Sequence, residues 1–349
     1  MPSPRPDQRE RHAALALSLA SGIGSATFAE LIARFGSAEQ ALSQRSDREA
    51  LLQDAAMLVA RTAAAGASLL VLGDAEYPTA FADLEAPPMW ATSIGELRHL
   101  GPVGVAIVGT RQATPYGTRI AREVASAVVR AGGVVVSGLA RGIDAVAHRA
   151  ALEAGGATVA VLGTGVDVAY PANHRALHAD VAERGLLISE FPPGASASPG
   201  SFPRRNRLIA ALARVTLVVE AGHRSGALIT ASQADAIGRD VFAVPGPVDA
   251  TQSAGCNRLI RDGAQIMTEI ADVLQAAGLM VPLASSRAEA LVGAPRAVWD
   301  ALGRGPLDAD ALAAASRLPA RACLATITEL ELAGLVECAL TGEIRRRGW

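Results

Sequence analysis

VGVAIVGTRQATPYGTRIAREVASAVVRAGGVVVSGLARGIDAVAH (residues 103–148) sets the pattern by which the rest of the chain is read. Val103–Val108 is an apolar run that stops at Gly109-Thr110-Arg111, and residues 115–130 then carry apolar side chains at helical spacing. Val134–Val136 repeats the run, Ser137-Gly138-Leu139-Ala140-Arg141-Gly142 repeats the loop, and 143–154 repeats the helix. Neither run shows polar alternation, so each reads as a strand buried on both faces. A strand, a crossover helix and a second strand make a parallel pair.

The pattern continues outward. Thr158–Leu162, Leu186–Ser189, Thr216–Val219 and Val241–Val244 are further strand candidates, with helices expected at 173–184, 206–212 and 227–237. This predicts an α/β fold: an extended, doubly wound, mostly parallel sheet of the Rossmann-like kind. Residues 69–281 are assigned to it, with 69–100 as a proline-interrupted connector. Residues 1–68 form an N-terminal helical domain with a disordered, proline-rich start. Its Gly22-Ile23-Gly24 turn suggests a helix-hairpin-helix (SAM-like) unit or an ordinary tight turn between core helices. Residues 282–294 read as a linker. Residues 295–349 suggest three helices (Val298–Leu302, Ala309–Ala315, Ala320–Ala333) and a hairpin turning at Thr341-Gly342, which together make a winged-helix domain.

Composition removes whole classes of function. The 32 basic residues are all arginine, so a Walker A lysine, a kinase-type lysine and Schiff-base or pyridoxal-phosphate chemistry are excluded. Cys256, Cys323 and Cys338 are too few and too scattered for a disulfide framework or a zinc site, which fits a cytoplasmic protein. Ala13–Ala20 follows two arginines as a signal-peptide core would, but it runs straight on into a helical pattern. No stretch is long enough for a membrane span. The net charge of -2 gives no global attraction to nucleic acid, so anion binding has to come from a local cluster.

Such clusters stand where the fold puts ligands, beyond the carboxyl ends of the strands. Arg111 follows the first strand. Ser137, Gly138, Arg141 and Gly142 follow the second. Gly163-Thr164-Gly165 and Tyr170-Pro171-Ala172-Asn173 follow the third, with Arg175 close behind. Glu220, Ser225 and Gly226 follow the fifth and lead into a helix carrying Thr230. Arg204, Arg205, Asn206 and Arg207 stand together at the start of another helix. Free loop amides and arginine forks both favour phosphate, and several such loops suit a run of phosphates. Competing readings are weaker. Gly163-Thr164-Gly165 does not complete a dinucleotide fingerprint, because Val168 stands at the last position. His174 and His178 are four apart but lack a zincin glutamate, so they read as surface or supporting residues. Glu220 suits an acid or base, or a residue that orients an arginine. Arg345-Arg346-Arg347 reads as a solvated wing edge or a nucleic-acid contact. Neither a cofactor nor a metal is expected.

Taken in order, these segments resemble the DNA-processing protein A (DprA/Smf) family. The resemblance is carried by VAIVGTRQATPYG (105–117), VVSGLARGIDAVAH (135–148), AVLGTGVDVAYPANH (160–174), ISEFPPG (188–194), FPRRNRLIAAL (202–212), VVEAGHRSGALITASQA (218–234), VFAVPGP (241–247) and GCNRLIRDGA (255–264). It implies sequence-tolerant binding of single-stranded DNA, loading of a RecA-type recombinase in transformation or recombination, and a homodimer. Single-strand-binding protein is a further candidate partner. The resemblance carries DNA contact to Arg111, Ser137, Gly138, Arg141, Gly142, Asn173, Arg204, Asn206, Arg207, Ser225, Gly226 and Asn257. Arg205 and Thr230 are added as neighbours. One departure is Ala172, where some relatives have a basic residue; Arg175 is the candidate replacement. Two rivals remain: a Rossmann-like nucleotide phosphoribohydrolase, whose PGGxGTxxE loop is absent here, and a sequence-specific regulator reading duplex DNA through the winged helix. The expected protein is a binding protein and not an enzyme.

Overall fold

The computed structural model describes residues 8–280, 291–339 and 342–346. The chain divides into two compact units, Met1–Met280 and Val281–Trp349. Of the disordered start expected over residues 1–10, residues 1–7 fall outside the described residues, as does most of the expected linker, whereas residues 8–10 are the first turn of a helix.

The first unit begins with α1 (Gln8–Leu19), α2 (Ser25–Phe35), α3 (Ala38–Ser43) and α4 (Arg48–Ala64). Leu15, Leu17, Leu42, Leu51 and Leu58 bury one common core, which also takes in Val71 of the sheet. The apolar run after the two arginines is therefore the buried face of α1. The Glu10 carboxylate accepts the Ala38 and Glu39 amides at 2.6 and 3.1 Å, tying α1 to the first turn of α3.

The sheet follows: β1 (Ser68–Val71), β2 (Trp90–Gly95), β3 (Gly104–Val108), α5 (Pro115–Arg130), β4 (Val134–Ser137), α6 (Ile143–Glu153) and β5 (Thr158–Leu162). Next come α7 (Arg175–Arg184), β6 (Leu186–Ser189), α8 (Ser201–Ala211), β7 (Val215–Val218), α9 (Ala227–Ala236), β8 (Asp240–Ala243), α10 (Ala254–Arg261), β9 (Gln265–Ile266) and α11 (Ile270–Ala276). The strand order is β1-β2-β6-β5-β4-β3-β7-β8-β9. Only β1–β2 and β2–β6 are antiparallel. Strands β3 to β7 are buried along their whole length, as their unbroken apolar runs require.

Three expectations are corrected. The connector is structured: Ser68–Val71 pairs with Trp90–Ser93, adding two strands to the sheet beside β6. Short length and flanking prolines hid them. The helix expected at 206–212 starts five residues earlier, at Ser201, so Phe202–Arg207 stand within its first turns. Pro203 sits where a helix has no amide bond to lose. The helix expected from residue 173 starts at Arg175, after a short 3₁₀ turn over Ala172–His174.

The order reverses at β3. Strand β4 lies on one side of it and β7 on the other, so the loops after β3 and β7 diverge there. This switch point is where doubly wound sheets open a crevice.

The second unit contains α12 (Gly293–Ala301), α13 (Ala309–Ser316), α14 (Ala320–Leu332) and the antiparallel pair β10 (Val336–Cys338) and β11 (Ile344–Arg346). Val298, Leu312, Cys323, Ile327, Leu330 and Ile344 form its core. Three helices and a hairpin make a winged helix. Helix α12 starts five residues earlier than its expected start at Val298, within the stretch read as linker. Arg346 stacks on Trp299 at 4.4 Å and Arg345 pairs with Glu337, so these two arginines of the basic run have partners within the wing. Arg347 and Thr341 lie outside the described residues. Among the described residues, no helix is long and apolar enough to cross a membrane. None of their His, Cys, Asp and Glu side chains gather into a metal-binding group.

Candidate nucleic-acid interface

At the carboxyl ends of β3, β4 and β5, three loops and the first turn of α8 enclose a cavity of about 60 Å³. Arg111, Gly138, Arg141, Gly163, Tyr170 and Phe202 line it. Phe202 presses on Gly163 so closely that a β-carbon there would stand 2.9 Å from the ring. The Tyr170 and Phe202 rings are 5.3 Å apart and tilted by 38°. The Arg111 guanidinium lies 5.3 Å from the centre of the Phe202 ring. Tyr170 keeps 43% of its surface exposed, so an open aromatic face stands at the cavity mouth beside the half-buried Phe202 ring that Arg111 caps.

The loop after β4 is held by buried groups behind it. Leu139 has φ of 56°, the left-handed region that costs a branched residue about 1–2 kcal/mol. Its amide donates to His148 Nε2 at 3.3 Å, and its carbonyl accepts from His174 Nδ1 at 3.0 Å. The tautomer of His148 follows from its other partner. Thr158 Oγ1 already donates to the Val135 carbonyl at 2.7 Å, so it must accept from His148 Nδ1, which is also 2.7 Å away. Burial, with Arg205 nearby, pushes the His148 imidazole down to about 3, which keeps it neutral. Asp144 Oδ2 accepts the Gly138 amide at 3.1 Å, and burial raises this carboxyl above its usual range. Gly142 closes the loop with φ of 77°; a side chain there would strike the Thr110 carbonyl.

The loop after β3 is fixed from the other side of the switch point. The Thr110 amide donates to the Glu220 carbonyl at 2.7 Å, and the Thr114 amide to Glu220 Oε2 at 3.0 Å. The Thr114 hydroxyl also donates to Glu220, while accepting the Gly117 amide at 3.2 Å to cap α5. Glu220 therefore orients the loop that carries Arg111.

The residues singled out from the sequence separate by exposure. Arg111, Arg141, Asn173, Arg175 and Arg204 are exposed at this edge of the sheet. Gly226 is exposed and Ser225 half-exposed at the end of β7, and Gly138 and Gly142 form the floor of the β4 loop.

Other side chains among them have partners inside the protein. Arg205 is a correction: it is buried, its Nη1 donates to the Gly138 carbonyl at 2.7 Å and also to the Val161 carbonyl, and burial pulls its guanidinium down to about 10. Ser137 and Thr230 are likewise buried, with Ser137 Oγ donating to the Ile107 carbonyl at 2.7 Å. Asn206 Nδ2 donates to the Gly226 carbonyl at 3.2 Å. Asn257 brackets Gly246, donating to its carbonyl at 2.9 Å and accepting its amide at 3.2 Å. Arg207 is bound by the Ala86 carbonyl at 2.8 Å and by Glu190.

Sequence reasoning missed Glu190 and Phe191. One oxygen of the buried Glu190 takes both Arg207 and Arg204, the latter through Nε at 3.1 Å. The other oxygen has no hydrogen-bond partner among the described residues, and burial raises this carboxyl. Phe191 lies 5.3 Å under the Arg204 guanidinium. Held at Nε and stacked, Arg204 has no hydrogen bond from its two terminal nitrogens among the described residues. His174 and His178, read as surface or supporting residues, both serve backbone carbonyls, with His174 buried. The i,i+4 pair Asp144 and His148, just past a glycine-rich loop, was the available signal for the support behind that loop.

The fold and this edge define an extended Rossmann-like α/β protein carrying a helical N-terminal segment and a winged-helix unit. The family model described as DNA recombination-mediator protein A matches residues 68–278, the DprA winged helix domain matches 282–339, and the DprA-like N-terminal HHH domain matches 8–45. The chain belongs to the DNA recombination-mediator protein A (DprA/Smf) family. A DprA relative in Mycobacterium tuberculosis is 42% identical over 257 residues, covering 72% of this chain and 66% of the relative. The match thus spans just under two thirds of that relative's length. The crystal structure of DNA processing protein A from Streptococcus pneumoniae superposes with a TM-score of 0.66 at 33% identity, covering 76% of this chain and 97% of that one. The structure describing the single-stranded DNA binding mode of DNA processing protein A from Helicobacter pylori gives 0.55 at 31% identity, covering 60% and 94%.

Proposed function

We propose that this edge of the sheet binds single-stranded DNA with little sequence preference, and that the protein passes the strand to a RecA-type recombinase during DNA processing in recombination. The observation that carries the reading is the open Tyr170–Phe202–Arg111 cluster, set beside Arg141 and Arg204 over glycine loops. Aromatic rings take any base by its face, and arginines take phosphates without reading sequence. The cavity itself, at about 60 Å³, is far smaller than the several hundred cubic ångströms of a pocket that encloses a small molecule. That size suits a polymer laid across a rim better than a free nucleotide held inside.

The same geometry favours binding over hydrolysis. Both strand-end carboxylates carry structural bonds, Glu220 to the Thr114 loop and Glu190 to two arginines. The likeness to the Helicobacter protein, described by its single-stranded DNA binding mode, supports the same reading. A homodimer and contact with single-strand-binding protein belong to this proposal, as does a cytoplasmic location.

The test is fluorescence anisotropy of labelled single-stranded and duplex DNA of one sequence across a salt series. Tight, salt-sensitive binding of the single strand with much weaker duplex binding is expected. Equal binding of the two would overturn it. Acceleration of recombinase filament assembly on coated single strands tests the loading step separately.

A further inference from the structure

Tyr116 stands outside the cavity described above, and none of the roles assigned so far uses it. Its ring is 41% exposed, yet it is held at both ends. Its backbone enters α5 directly behind the Thr114 cap, and its hydroxyl donates to the Pro245 carbonyl at 3.3 Å, in the loop that follows β8. Arg119, one turn along α5, places its guanidinium 5.6 Å from the centre of the ring. Glu123, a further turn on, holds that guanidinium at 3.3 Å. A fixed, half-open aromatic face with a cation against it repeats the Tyr170–Phe202–Arg111 arrangement on the far side of the switch point.

The geometry points to Tyr116 as a second base-stacking position, for an unpaired nucleobase of a strand that crosses the carboxyl ends of the sheet. The inference rests on the single-stranded DNA reading above. Tyr170 belongs to the loop after β5, and Tyr116 is tied to the loop after β8. Strands β4, β3 and β7 lie between them. Tyr116 itself follows β3, two strand steps of about 4.8 Å from β5, and its hydroxyl reaches the loop after β8, so the two rings stand on the order of 10–19 Å apart, too far for one base to stack on both. Arg111 shares the loop of Tyr116 and faces the first position, so the loop after β3 links the two. The loop after Pro245 is itself held by Asn257, which gives that residue a role in setting the second position. Val248 in the same loop is 95% exposed, so an apolar side chain of a protein partner is the competing occupant. Arg119 against the ring, with Arg111 in the adjoining loop, favours a nucleic acid.

The two positions predict a dependence on strand length. Anisotropy is measured with a long oligothymidylate and with one short enough to reach only the first position. Three variants are compared with the wild type: Tyr116→Ala, Tyr116→Trp and Tyr170→Ala. Tyr116→Ala should lose affinity for the long strand by about 5- to 150-fold, the range for one lost base stack, and bind the short strand unchanged. Tyr116→Trp should keep long-strand affinity. Tyr170→Ala should weaken both strands. Wild-type affinity of Tyr116→Ala for the long strand, with Tyr170→Ala still impaired, would overturn the second position and leave the first standing. Equal loss on both lengths would also overturn it, because Tyr116 would then act only by shaping the Arg111 loop. Failure of the wild type to bind either strand would remove the single-strand reading and this inference with it.

Discussion

The Leu139 amide donates to Nε2 of His148 at 3.3 Å, so the left-handed turn of the β4 loop depends on a neutral imidazole. Protonating that nitrogen would set two donors against each other. Burial holds the folded-state value at about 3, against 6.5 for the free side chain. A group depressed on folding contributes its full stability above the unfolded value and loses it as the pH falls towards the folded one. Stability should therefore fall as the pH drops from about 6.5 to 3, with a slope of up to about 1.4 kcal/mol per unit from this one proton. Asp144, whose carboxyl burial raises, contributes with the opposite sign, so the comparison needs a variant. His148→Asn should be less stable than wild type at neutral pH and show a flatter slope across that window. Urea unfolding at stepped pH measures both, and identical slopes would rule out the clamp as the source.

Neighbouring arginines on α8 should behave as different kinds of residue. Arg205 is buried against the Gly138 and Val161 carbonyls, whereas Arg204 is exposed. Arg205→Ala should cost about 3–5 kcal/mol, because it strips buried acceptors and Asp144 of their partner. Arg111→Ala, at an exposed position, should stay within about 0.5 kcal/mol of wild type in stability while weakening DNA binding. Chemical denaturation alongside anisotropy separates the two effects.

This division was not legible in the sequence. Arg204 and Arg205 are adjacent, and only the helix, which turns each residue about 100° from the last, sends one out and the other in. The expected start at residue 206 falls late because Pro203 and the charged run break the apolar spacing of the first turn. By contrast, β3 to β8 were legible because each is a short apolar run ended by glycine, proline or a polar residue. Strands β1, β2 and β9 were missed: β1 is four residues long, β2 follows Pro87-Pro88, and β9 is only two residues long. The glycine loops and their arginines could be read in order along the chain. The Tyr170–Phe202 pair could not, because it joins a loop and the first turn of a distant helix that only the sheet brings together.

Salt dependence should sort the arginines once more. Each phosphate contact on a single strand contributes about 0.7 to the slope of log K against log salt. Arg111→Ala and Arg204→Ala should each flatten the slope by about that amount. Arg207→Ala should leave the slope nearly unchanged, because the Ala86 carbonyl and Glu190 already occupy its guanidinium. Its effect should appear as lost stability, since the buried Glu190 would keep only the exposed Arg204 as partner. An Arg207→Ala slope reduced as much as that of Arg111→Ala would mean that the guanidinium leaves Glu190 to take a phosphate.

The units themselves make the last prediction. Every side chain assigned to the DNA edge lies before Met280, and the winged helix buries its own core. On α14, the helix that would read a duplex groove, Arg321 is the one basic residue, while Glu329, Glu331 and Leu332 are exposed. Acidic and apolar groups there oppose a phosphate backbone. A chain ended after Met280 should therefore bind single-stranded DNA within about threefold of the full chain, less than the weight of one good contact. The isolated winged-helix unit should bind duplex DNA no better than a non-specific protein does. Anisotropy on both fragments decides the matter. A large loss of single-strand affinity on truncation would place part of the binding surface in the second unit, and tight duplex binding by the fragment would revive a sequence-reading role for it.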